Sequence, residues 1–372
     1  MSDLKPVPLF DLTRQWDDVQ QDVRAAIEKV LATQQFILGP EVAGLEQECA
    51  AYLGVKRAIA VSSGTDALLG ALMALGVGPG DEVITSPFTF FATAGVISRL
   101  HARPVFVDID PRDYNIDPHR LAAAITPRTK AIIPVHLYGQ AADMDAIGAV
   151  SGGVPIVEDC CQSIGARYKG VATGALGAIG CFSFFPTKNL GAFGDGGLLT
   201  TNDEKLAEKL FDMRMHGMRP KYVHRFVGGN FRCDAMQAAI LRVKLARLDG
   251  WIARRREGAA HYRRLFAAAG LIGTVTVPEE LPDRDHTYHQ YVIRAPRRDA
   301  LREHMAKEKV GAEIYYPIAL HQQECFADLG YTTGDFPESE RATAEVLALP
   351  IFPELRADER ERVAAAIAGF YA

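Results

Sequence analysis

The chain has 372 residues, 48% hydrophobic and 23% charged, a composition typical of a globular protein with two domains, or one large domain and a smaller one. The formal net charge of −5 argues against a dedicated nucleic-acid binder, which carries a strong basic excess. The N-terminal stretch has Pro and Asp where a signal peptide has an apolar core, and no apolar run approaches the roughly 18 to 20 residues that span a bilayer. We therefore expect a cytoplasmic protein with no nucleic-acid and no membrane partner.

Short apolar strands alternate with amphipathic helices through most of the chain, which is the pattern of an α/β fold. A helix at 64–76 follows the first strand, and a long basic helix at 249–270, whose arginines form a solvated face, precedes a smaller α+β region. The predicted domains are residues 1–250 and 251–372, with the first 20 or so residues able to pack on the smaller one. Seven strands of the large domain are predicted, at 58–63, 81–87, 103–109, 129–137, 154–160, 178–185 and 196–202.

The cysteines and histidines give no indication of a metal site. The six cysteines include one adjacent pair, Cys160 and Cys161, and no C-x-x-C spacing, so buried free thiols are expected. His286 and His289 could be ligands, but they precede a β-like run and lack partner ligands, so structural roles are expected for both.

The first strand ends in a group of small and polar residues, Ser63, Gly64, Thr65 and Asp66, immediately before a helix. Free backbone N–H groups and the positive end of the helix dipole favour a phosphate at such a position, and small residues let it approach. The same residues fit an ordinary helix cap equally well. The spacing supports neither a dinucleotide fingerprint nor a P-loop.

Two further strand ends carry side chains suited to a ligand. Phe90 lies on the turn after the second strand, where it either packs in the core or stacks on a flat ring. Glu158 and Asp159 end the fifth strand, where burial of a carboxylate is costly unless it meets a cation or hydrogen-bond donors. Gln162 follows at a spacing that lets it face the same pocket.

Lys188 lies in the stretch FSFFPTKNLGAFGDGG (182–197), among aromatic residues and glycines. Partial desolvation there favours the neutral, nucleophilic amine, although most loop lysines are simply solvated side chains. A phosphate site, a stacking aromatic, a buried acid and an isolated lysine occur in that order on successive strand ends. Pyridoxal 5′-phosphate (PLP) matches all four, because it has a phosphate, a flat ring, a ring nitrogen that must stay protonated and an aldehyde that forms a Schiff base with lysine.

Several stretches resemble the signature blocks of the DegT/StrS family of sugar aminotransferases, in the family's order, from about Pro8 to Leu349. The stretches are SSGTDALLGALMALGVGPGDEVITSPFTFFATA, ITPRTKAIIPVHLYGQ, VEDCCQSIGARYKG, SFFPTKNLGAFGDGG, VGGNFRCDAMQAAIL and IYYPIALHQQ. The resemblance implies the fold-type I aminotransferase architecture, with a mixed, mostly parallel seven-stranded sheet in a large PLP-binding domain and a smaller C-terminal domain.

The resemblance also implies roles for residues around the cofactor. Lys188 would form the Schiff base with PLP and shuttle protons, and Asp159 would pair with the pyridine nitrogen. The residues implied to hold the phosphate or the O3′ side of the ring, or to stack on it, are Gly64, Thr65, Gln162, Ser183 and Phe90.

Other implied roles concern the substrates and a second subunit. Asn230 resembles a residue that reaches the phosphate from the neighbouring subunit, which implies a homodimer with shared active sites. Arg232 would meet the carboxylate of the amino donor, and Tyr316 and His321 belong to the implied substrate site. Tyr315 stands where many relatives have histidine, so the resemblance leaves sugar recognition open at that position.

The activity implied by the resemblance is transfer of an amino group from an amino acid, with L-glutamate expected, to a keto group of a nucleotide-linked sugar. The loop NLGAFGDGG resembles members that aminate C3, and other blocks resemble members that act on UDP-linked 2-acetamido-3-keto sugars in polysaccharide or glycoside biosynthesis. Two alternatives stay open: a regulator that binds PLP without turnover, and a sugar dehydratase on the same fold. Such dehydratases carry histidine in place of the lysine, so Lys188 argues against the second.

Overall fold

The computed structural model of the protein describes residues 5–372. Within that range, none of the helices combines the length and apolar character that a membrane crossing requires. The α-helices described are α1 (Leu12–Thr33), α2 (Gly39–Leu53), α3 (Gly64–Ala74), α4 (Ala92–Arg99), α5 (Pro118–Ala124), α6 (Met144–Val150), α7 (Glu204–Met213), α8 (Ala235–Leu245), α9 (Leu248–Ala268), α10 (Arg298–Lys307), α11 (Pro337–Glu345) and α12 (Ala357–Tyr371).

The β-strands of the same range are short, as is usual for an α/β protein. They are β1 (Arg57–Val61), β2 (Glu82–Thr85), β3 (Arg103–Phe106), β4 (Thr129–Ile133), β5 (Val157–Asp159), β6 (Arg167–Tyr168), β7 (Val171–Ala172), β8 (Ile179–Ser183), β9 (Gly197–Thr201), β10 (Arg284–Asp285), β11 (Tyr291–Arg294) and β12 (Val346–Leu349). Short 3-10 helices occur at Leu137–Gly139, Leu320–Gln322 and Glu324–Leu329.

Seven of these strands form one mixed sheet. Two hydrogen-bonded groups, β1-β9-β8-β5 and β3-β2-β4, meet where β4 and β5 lie side by side, with parallel bridges that join Ile132 to Ile156 and Val135 to Asp159. The order across the sheet is therefore β3-β2-β4-β5-β8-β9-β1, and only β9 runs antiparallel to its neighbours. This confirms the predicted mixed, mostly parallel seven-stranded sheet.

The sheet is buried because helices cover it. β2 and β9 are buried at every residue, and α3 packs against β8 and β9 with most of its surface covered. Parallel sheets depend on this two-sided cover, and their strands therefore read as continuous apolar runs in sequence. Because β1, β5 and β8 run in the same direction, their carboxyl ends lie at the same edge of the sheet.

A second core lies in the C-terminal part of the chain. There β11 pairs antiparallel with β12, and α9, α10 and α12 pack around them through residues such as Tyr262 and Ile367. The N-terminal segment joins this core, since Val7 forms a parallel bridge with Val310. The division into domains at residue 250 stays a prediction.

Candidate active site

A cavity of about 460 Å³ opens where the parallel strands end. Tyr315 and Tyr316 line it, and so do seven of the eight residues predicted to bind the cofactor. Those seven are Gly64, Thr65, Phe90, Asp159, Gln162, Ser183 and Lys188. The structure thus brings most of the predicted site together, while the role of each residue stays a prediction.

The start of α3 forms one wall of the cavity. Ser63 caps the helix, because its Oγ accepts a hydrogen bond from the backbone N–H of Asp66 at 3.0 Å. At Gly64 an added Cβ would lie 2.6 Å from the Cβ of Ser183 and 2.9 Å from the Sγ of Cys161. Glycine is therefore required there, and the backbone at the helix start stays open to an anionic ligand.

Asp159 is fixed at the end of β5. Its carboxylate accepts hydrogen bonds from the Thr93 hydroxyl at 2.8 Å and from the backbone N–H of Cys161 at 3.1 Å, and the residue is only 4% exposed. A carboxylate has about four acceptor positions, so it can still accept a ring N–H from a ligand. The sequence analysis missed Thr93, although it lies three residues after Phe90, one helical turn away.

Glu158, the neighbouring carboxylate, has a structural role within the chain. It is fully buried and does not line the cavity. Its oxygens accept hydrogen bonds at 2.6–2.9 Å from the N–H groups of Gly174, Leu176 and Gly177 and from the ring of His136. His136 donates that bond from Nε2, because its Nδ1 accepts the N–H of Ala142. These bonds anchor a loop, and they favour Asp159 over Glu158 as the partner of a ligand.

Glu158, His136 and Cys160 are close enough to one another to be considered as a metal site. The carboxylate and both ring nitrogens are already engaged in the hydrogen bonds just described, so the group works as a structural hydrogen-bond network.

A second hydrogen-bonded group lies across the cavity. The Oε1 of Gln162 accepts the N–H of Tyr138 at 2.8 Å, and its Nε2 donates to the Tyr316 hydroxyl at 3.0 Å. The Tyr138 hydroxyl in turn donates to the carbonyl of Tyr315. Phe90, 57% exposed, has its ring centre 6.3 Å from that of Tyr316 and is free to stack on a flat ligand.

Lys188 lines this cavity from the loop that follows β8. The backbone N–H of Lys188 donates to the carbonyl of Phe185 at 2.8 Å, and this hydrogen bond fixes the loop at that residue. Within residues 5–372, no side chain or carbonyl is hydrogen-bonded or ion-paired to its amine. Burial lowers the pKa of Lys188 below its ordinary value, against smaller opposing effects of Cys161 and Asp159. A lysine with this environment holds a larger fraction of neutral, nucleophilic amine than a surface lysine.

Asn230 and Arg232 do not line the cavity of their own chain. Asn230 is exposed and forms a bridge with Met215, whereas Arg232 forms a bridge with Val61 at the end of β1. The buried Nε of Arg232 has no hydrogen-bond partner in the described part of the chain, and no carboxylate there pairs with its guanidinium.

His321 also lies outside the cavity. It is 3% exposed, its Nε2 is 3.0 Å from Glu340, and its ring centre lies 4.7 Å from that of Phe336. Its Nδ1 is buried without a hydrogen-bond partner in residues 5–372. A substrate role for His321 stays a prediction.

Known proteins of the same architecture include sugar aminotransferases. The crystal structure of S. venezuelae DesV, in complex with a ketimine intermediate, matches with a TM-score of 0.95 and 42% identity over 99% of both chains. A pleiotropic regulatory protein from Geobacillus stearothermophilus is 50% identical over 98% of each chain.

Two relatives have names that describe reactions at sugars. UDP-N-acetyl-3-dehydro-α-D-glucosamine 3-aminotransferase from Acidithiobacillus ferrooxidans is 44% identical over 97% of each chain. dTDP-3-amino-3,4,6-trideoxy-α-D-glucose transaminase from Streptomyces venezuelae is 43% identical over 97% of this chain and 95% of its own. The family model of the DegT/DnrJ/EryC1/StrS aminotransferases matches residues 17–368. The chain therefore belongs to the DegT/DnrJ/EryC1/StrS aminotransferase family.

Proposed function

We propose that this chain is a PLP-dependent aminotransferase that moves an amino group from L-glutamate to the C3 keto group of a nucleotide-linked sugar. The observation that carries the proposal is the unpartnered amine of Lys188 in one cavity with the buried carboxylate of Asp159 and the open start of α3. The names of two relatives, one acting on a UDP sugar and one on a dTDP sugar, support the substrate class.

The cavity fits PLP. A Cβ at Gly64 would clash with Ser183, so glycine lets the helix start pack directly against β8, and the residues of that helix start line the cavity where a phosphate can bind. Asp159 offers the acceptor that a protonated ring nitrogen needs, and Phe90 offers a ring for stacking. Bound there, PLP supplies an electron sink that stabilises negative charge on the carbon that loses a proton.

The residues of the chain supply the acid–base chemistry. The neutral form of Lys188 has a lone pair on Nζ with which it can bind the cofactor's aldehyde and later take and return a proton. Asp159 would keep the ring nitrogen protonated, because an anion at that position favours the charged form of the ring. Thr93 and the N–H of Cys161 would hold the carboxylate in one orientation.

The decisive experiment for the activity is incubation of the purified protein with PLP, L-glutamate and a panel of UDP- and dTDP-linked keto sugars, followed by mass spectrometry. The expected product carries an amino group in place of the keto oxygen, and the position of the amino group follows from NMR. The Lys188→Ala variant is the control. A panel that covers 3-keto and 4-keto sugars and yields product only from the latter would contradict the C3 assignment.

A regulator that binds PLP without turnover is the second candidate, because the relative from Geobacillus stearothermophilus is named as a regulatory protein. The two functions differ in their response to glutamate. An aminotransferase loses its visible PLP band when glutamate donates its amino group, whereas a non-catalytic binder keeps the band. We expect the band to bleach.

Homodimerisation with shared active sites is also part of the proposal. Asn230 and Arg232 lie outside the cavity of their own chain, and large apolar side chains that line this cavity are exposed, including Phe90 at 57% and Phe185 at 51%. Such surfaces mark protein interfaces.

A cytoplasmic location fits the six free cysteines, since a reducing compartment keeps thiols free.

A further inference from the structure

The N-terminal segment, residues 5–11, supplies part of the cavity wall. Leu9 and Phe10 line the cavity together with the strand ends that hold the predicted cofactor site. Phe10 is 48% exposed, although it is a large apolar residue. An apolar ring that stays exposed at a cavity wall is available to a ligand, because covering its surface is favourable.

Contacts with the C-terminal core fix the backbone before Phe10. Val7 forms a parallel bridge with Val310, and its carbonyl accepts the N–H of Gly311 at 2.8 Å. A Cβ at Gly311 would lie 2.7 Å from the backbone nitrogen of Leu9, so the segment packs directly on this glycine. The chain therefore reaches Phe10 along a defined path.

The backbone after Phe10 is fixed as well. Asp11 caps α1, because its Oδ1 accepts the N–H of Thr13 at 2.9 Å. Arg14, in the first turn of this helix, donates two hydrogen bonds to the buried carboxylate of Glu359, at 2.7 and 2.8 Å. Since the chain is anchored on both sides, a ligand that contacts the Phe10 ring need not order the backbone that carries it.

The ring of Phe10 differs from other exposed phenylalanine rings of the chain. Phe90 and Phe193 are exposed too, but their ring centres lie 6.3 Å and 5.7 Å from those of Tyr316 and Trp16. Within residues 5–372, the Phe10 ring has no aromatic partner at such a distance. A flat ligand in the cavity can therefore stack on it without displacing another ring.

The proposed substrate has a flat ring at the end opposite to its reacting carbon. The amino group passes through a cofactor held by Lys188, so the keto carbon of the sugar must lie near Lys188 and the nucleotide must extend away from it. The relatives named for UDP-linked and dTDP-linked sugars have substrates whose bases, uracil and thymine, are both pyrimidines. An aromatic side chain accepts either base, because every base has a π face.

We propose that Phe10 forms the base-binding subsite of this enzyme, with its ring stacked on the pyrimidine of the nucleotide-linked sugar. The phenylalanine side chain has no hydrogen-bonding group, so the contact favours a flat base without distinguishing uracil from thymine. The inference rests on the proposed function, in which a nucleotide-linked sugar is the substrate.

Isothermal titration calorimetry of the PLP-loaded protein with UDP and with dTDP tests this contact without turnover. Phe10→Leu keeps an apolar side chain but loses the flat ring. It should weaken the binding of both nucleotides by at least about fivefold, the lower end of the range for base–aromatic stacking. Phe10→Trp keeps a flat ring and should bind both within about twofold of wild type. Inorganic pyrophosphate, which has no base, should bind equally to wild type and Phe10→Leu.

Leu12→Ala is the matched control. Leu12 lies two residues further along the chain and is 40% exposed, but it does not line the cavity. This variant should leave the dissociation constants of UDP and dTDP unchanged. Unchanged constants in Phe10→Leu, an equal loss in Leu12→Ala, or an equal loss of pyrophosphate binding in Phe10→Leu would overturn the proposal.

Native mass spectrometry separates the base-binding role from a role in a subunit interface. Phe10→Leu should keep the oligomeric state of the wild type, because the ring faces a ligand in the proposal. Dissociation of the subunits in Phe10→Leu would assign the ring to the interface and exclude the base subsite.

Failure of this inference and failure of the proposed function give different results. Amination of a nucleotide-linked keto sugar by the wild type, with unchanged UDP and dTDP affinity in Phe10→Leu, would contradict only the role of Phe10. A wild type that binds neither UDP nor dTDP and aminates no sugar of the panel would contradict the proposed function itself.

Discussion

Asp159 is buried and Lys188 is half-buried, and the two charged groups differ in their hydrogen bonds. The carboxylate has two hydrogen-bond donors that support its charge, from Thr93 and from the N–H of Cys161. The amine has no such support in residues 5–372, and burial lowers its pKa. A fixed anion beside a desolvated amine is the arrangement that a lysine nucleophile and a ring-nitrogen partner require.

The first prediction is that Lys188→Ala abolishes transamination, with a loss of at least about 1,000-fold, because no other side chain in the cavity offers a nucleophilic amine. Lys188→Arg, which keeps the positive charge, should be equally inactive. Borohydride reduction of the wild type and peptide mapping should find the pyridoxyl group on Lys188. Activity in the arginine variant would contradict a nucleophilic role.

The second prediction separates the two neighbouring carboxylates. Asp159→Asn should fold normally and lower turnover at least about 100-fold, because the amide cannot keep a ring nitrogen protonated. Glu158→Gln should instead lower the free energy of unfolding by about 1 to 3 kcal/mol, since Glu158 holds three backbone N–H groups and His136. Turnover and urea unfolding of both variants test this, and near-normal turnover in Asp159→Asn would exclude its assigned role.

At the scale of elements, α3 carries two glycines that the structure treats differently. A Cβ at Gly64 would lie 2.6 Å from Ser183, whereas a Cβ at Gly70 would meet only Leu199, at an ordinary 3.8 Å. Gly64→Ala should therefore weaken PLP binding by at least about tenfold, since the clash with Ser183 would displace the backbone N–H groups of the helix start that favour a phosphate. Gly70→Ala should leave PLP binding unchanged and stabilise the helix by up to about 1 kcal/mol. Fluorescence titration of the cofactor-free variants with PLP gives the dissociation constants. Equal constants for Gly64→Ala and Gly70→Ala would contradict a phosphate site at Gly64.

Helix α8 supports the loop of Lys188 through a buried lysine, Lys244. Its Nζ donates to the carbonyl of Gly191 and lies 5.3 Å from the ring centre of Phe193 and 5.9 Å from that of Trp251. Burial lowers the pKa of Lys244 to about 8. Between about pH 8 and the ordinary lysine value, the unfolded chain therefore binds more protons at this position than the folded chain does.

The fourth prediction follows from this difference in proton binding between the unfolded and folded chains. Relative to a Lys244→Met variant, the free energy of unfolding of the wild type should rise with pH across this window, by about 3 kcal/mol in total. Urea unfolding of cofactor-free protein at several pH values measures the difference. Arg242→Met, on the same helix, is the control, because Arg242 is paired with Glu41 and Glu48 and does not contact the loop. Parallel curves for wild type and Lys244→Met would contradict the shifted pKa.

At the scale of the whole molecule, the parallel sheet explains why a site could be predicted from sequence at all. Apolar runs predicted the seven strands, and the shared direction of strands such as β1, β5 and β8 brings Gly64, Asp159 and Lys188 to one edge. This inference depends only on the direction of the strands and not on the residue pairing between them. Any residue placed just after a parallel strand arrives at the same edge.

Side-chain partners that depend on register and packing could not be predicted in this way. Thr93 meets Asp159 across 66 positions of sequence, and this contact depends on how α4 sits over the sheet. His289 was expected to be structural, like His286, because both precede the same strand. Only the three-dimensional structure shows that the rings differ in hydrogen bonding and in access to the cavity.

The proposed dimer makes the last prediction, which concerns Arg232. This arginine lies outside the cavity of its own chain, with a buried Nε that lacks a partner in the described residues and no ion pair to Asp234 or any other described carboxylate. If it serves the site of the neighbouring subunit, each site combines Lys188 of one chain with Arg232 of the other. A two-fold dimer would contain two such sites.

Mixing Lys188→Ala chains with Arg232→Ala chains therefore tests whether the sites are shared. In a mixed dimer with shared sites, one site carries both substitutions and the other carries neither, so one intact site reappears. Equal mixing makes half of the dimers mixed, and we expect about a quarter of wild-type activity. Each variant must be inactive alone, and native mass spectrometry must show that subunits exchange. Exchange without recovered activity would mean that Arg232 acts within its own chain, because every site would then keep one of the two substitutions.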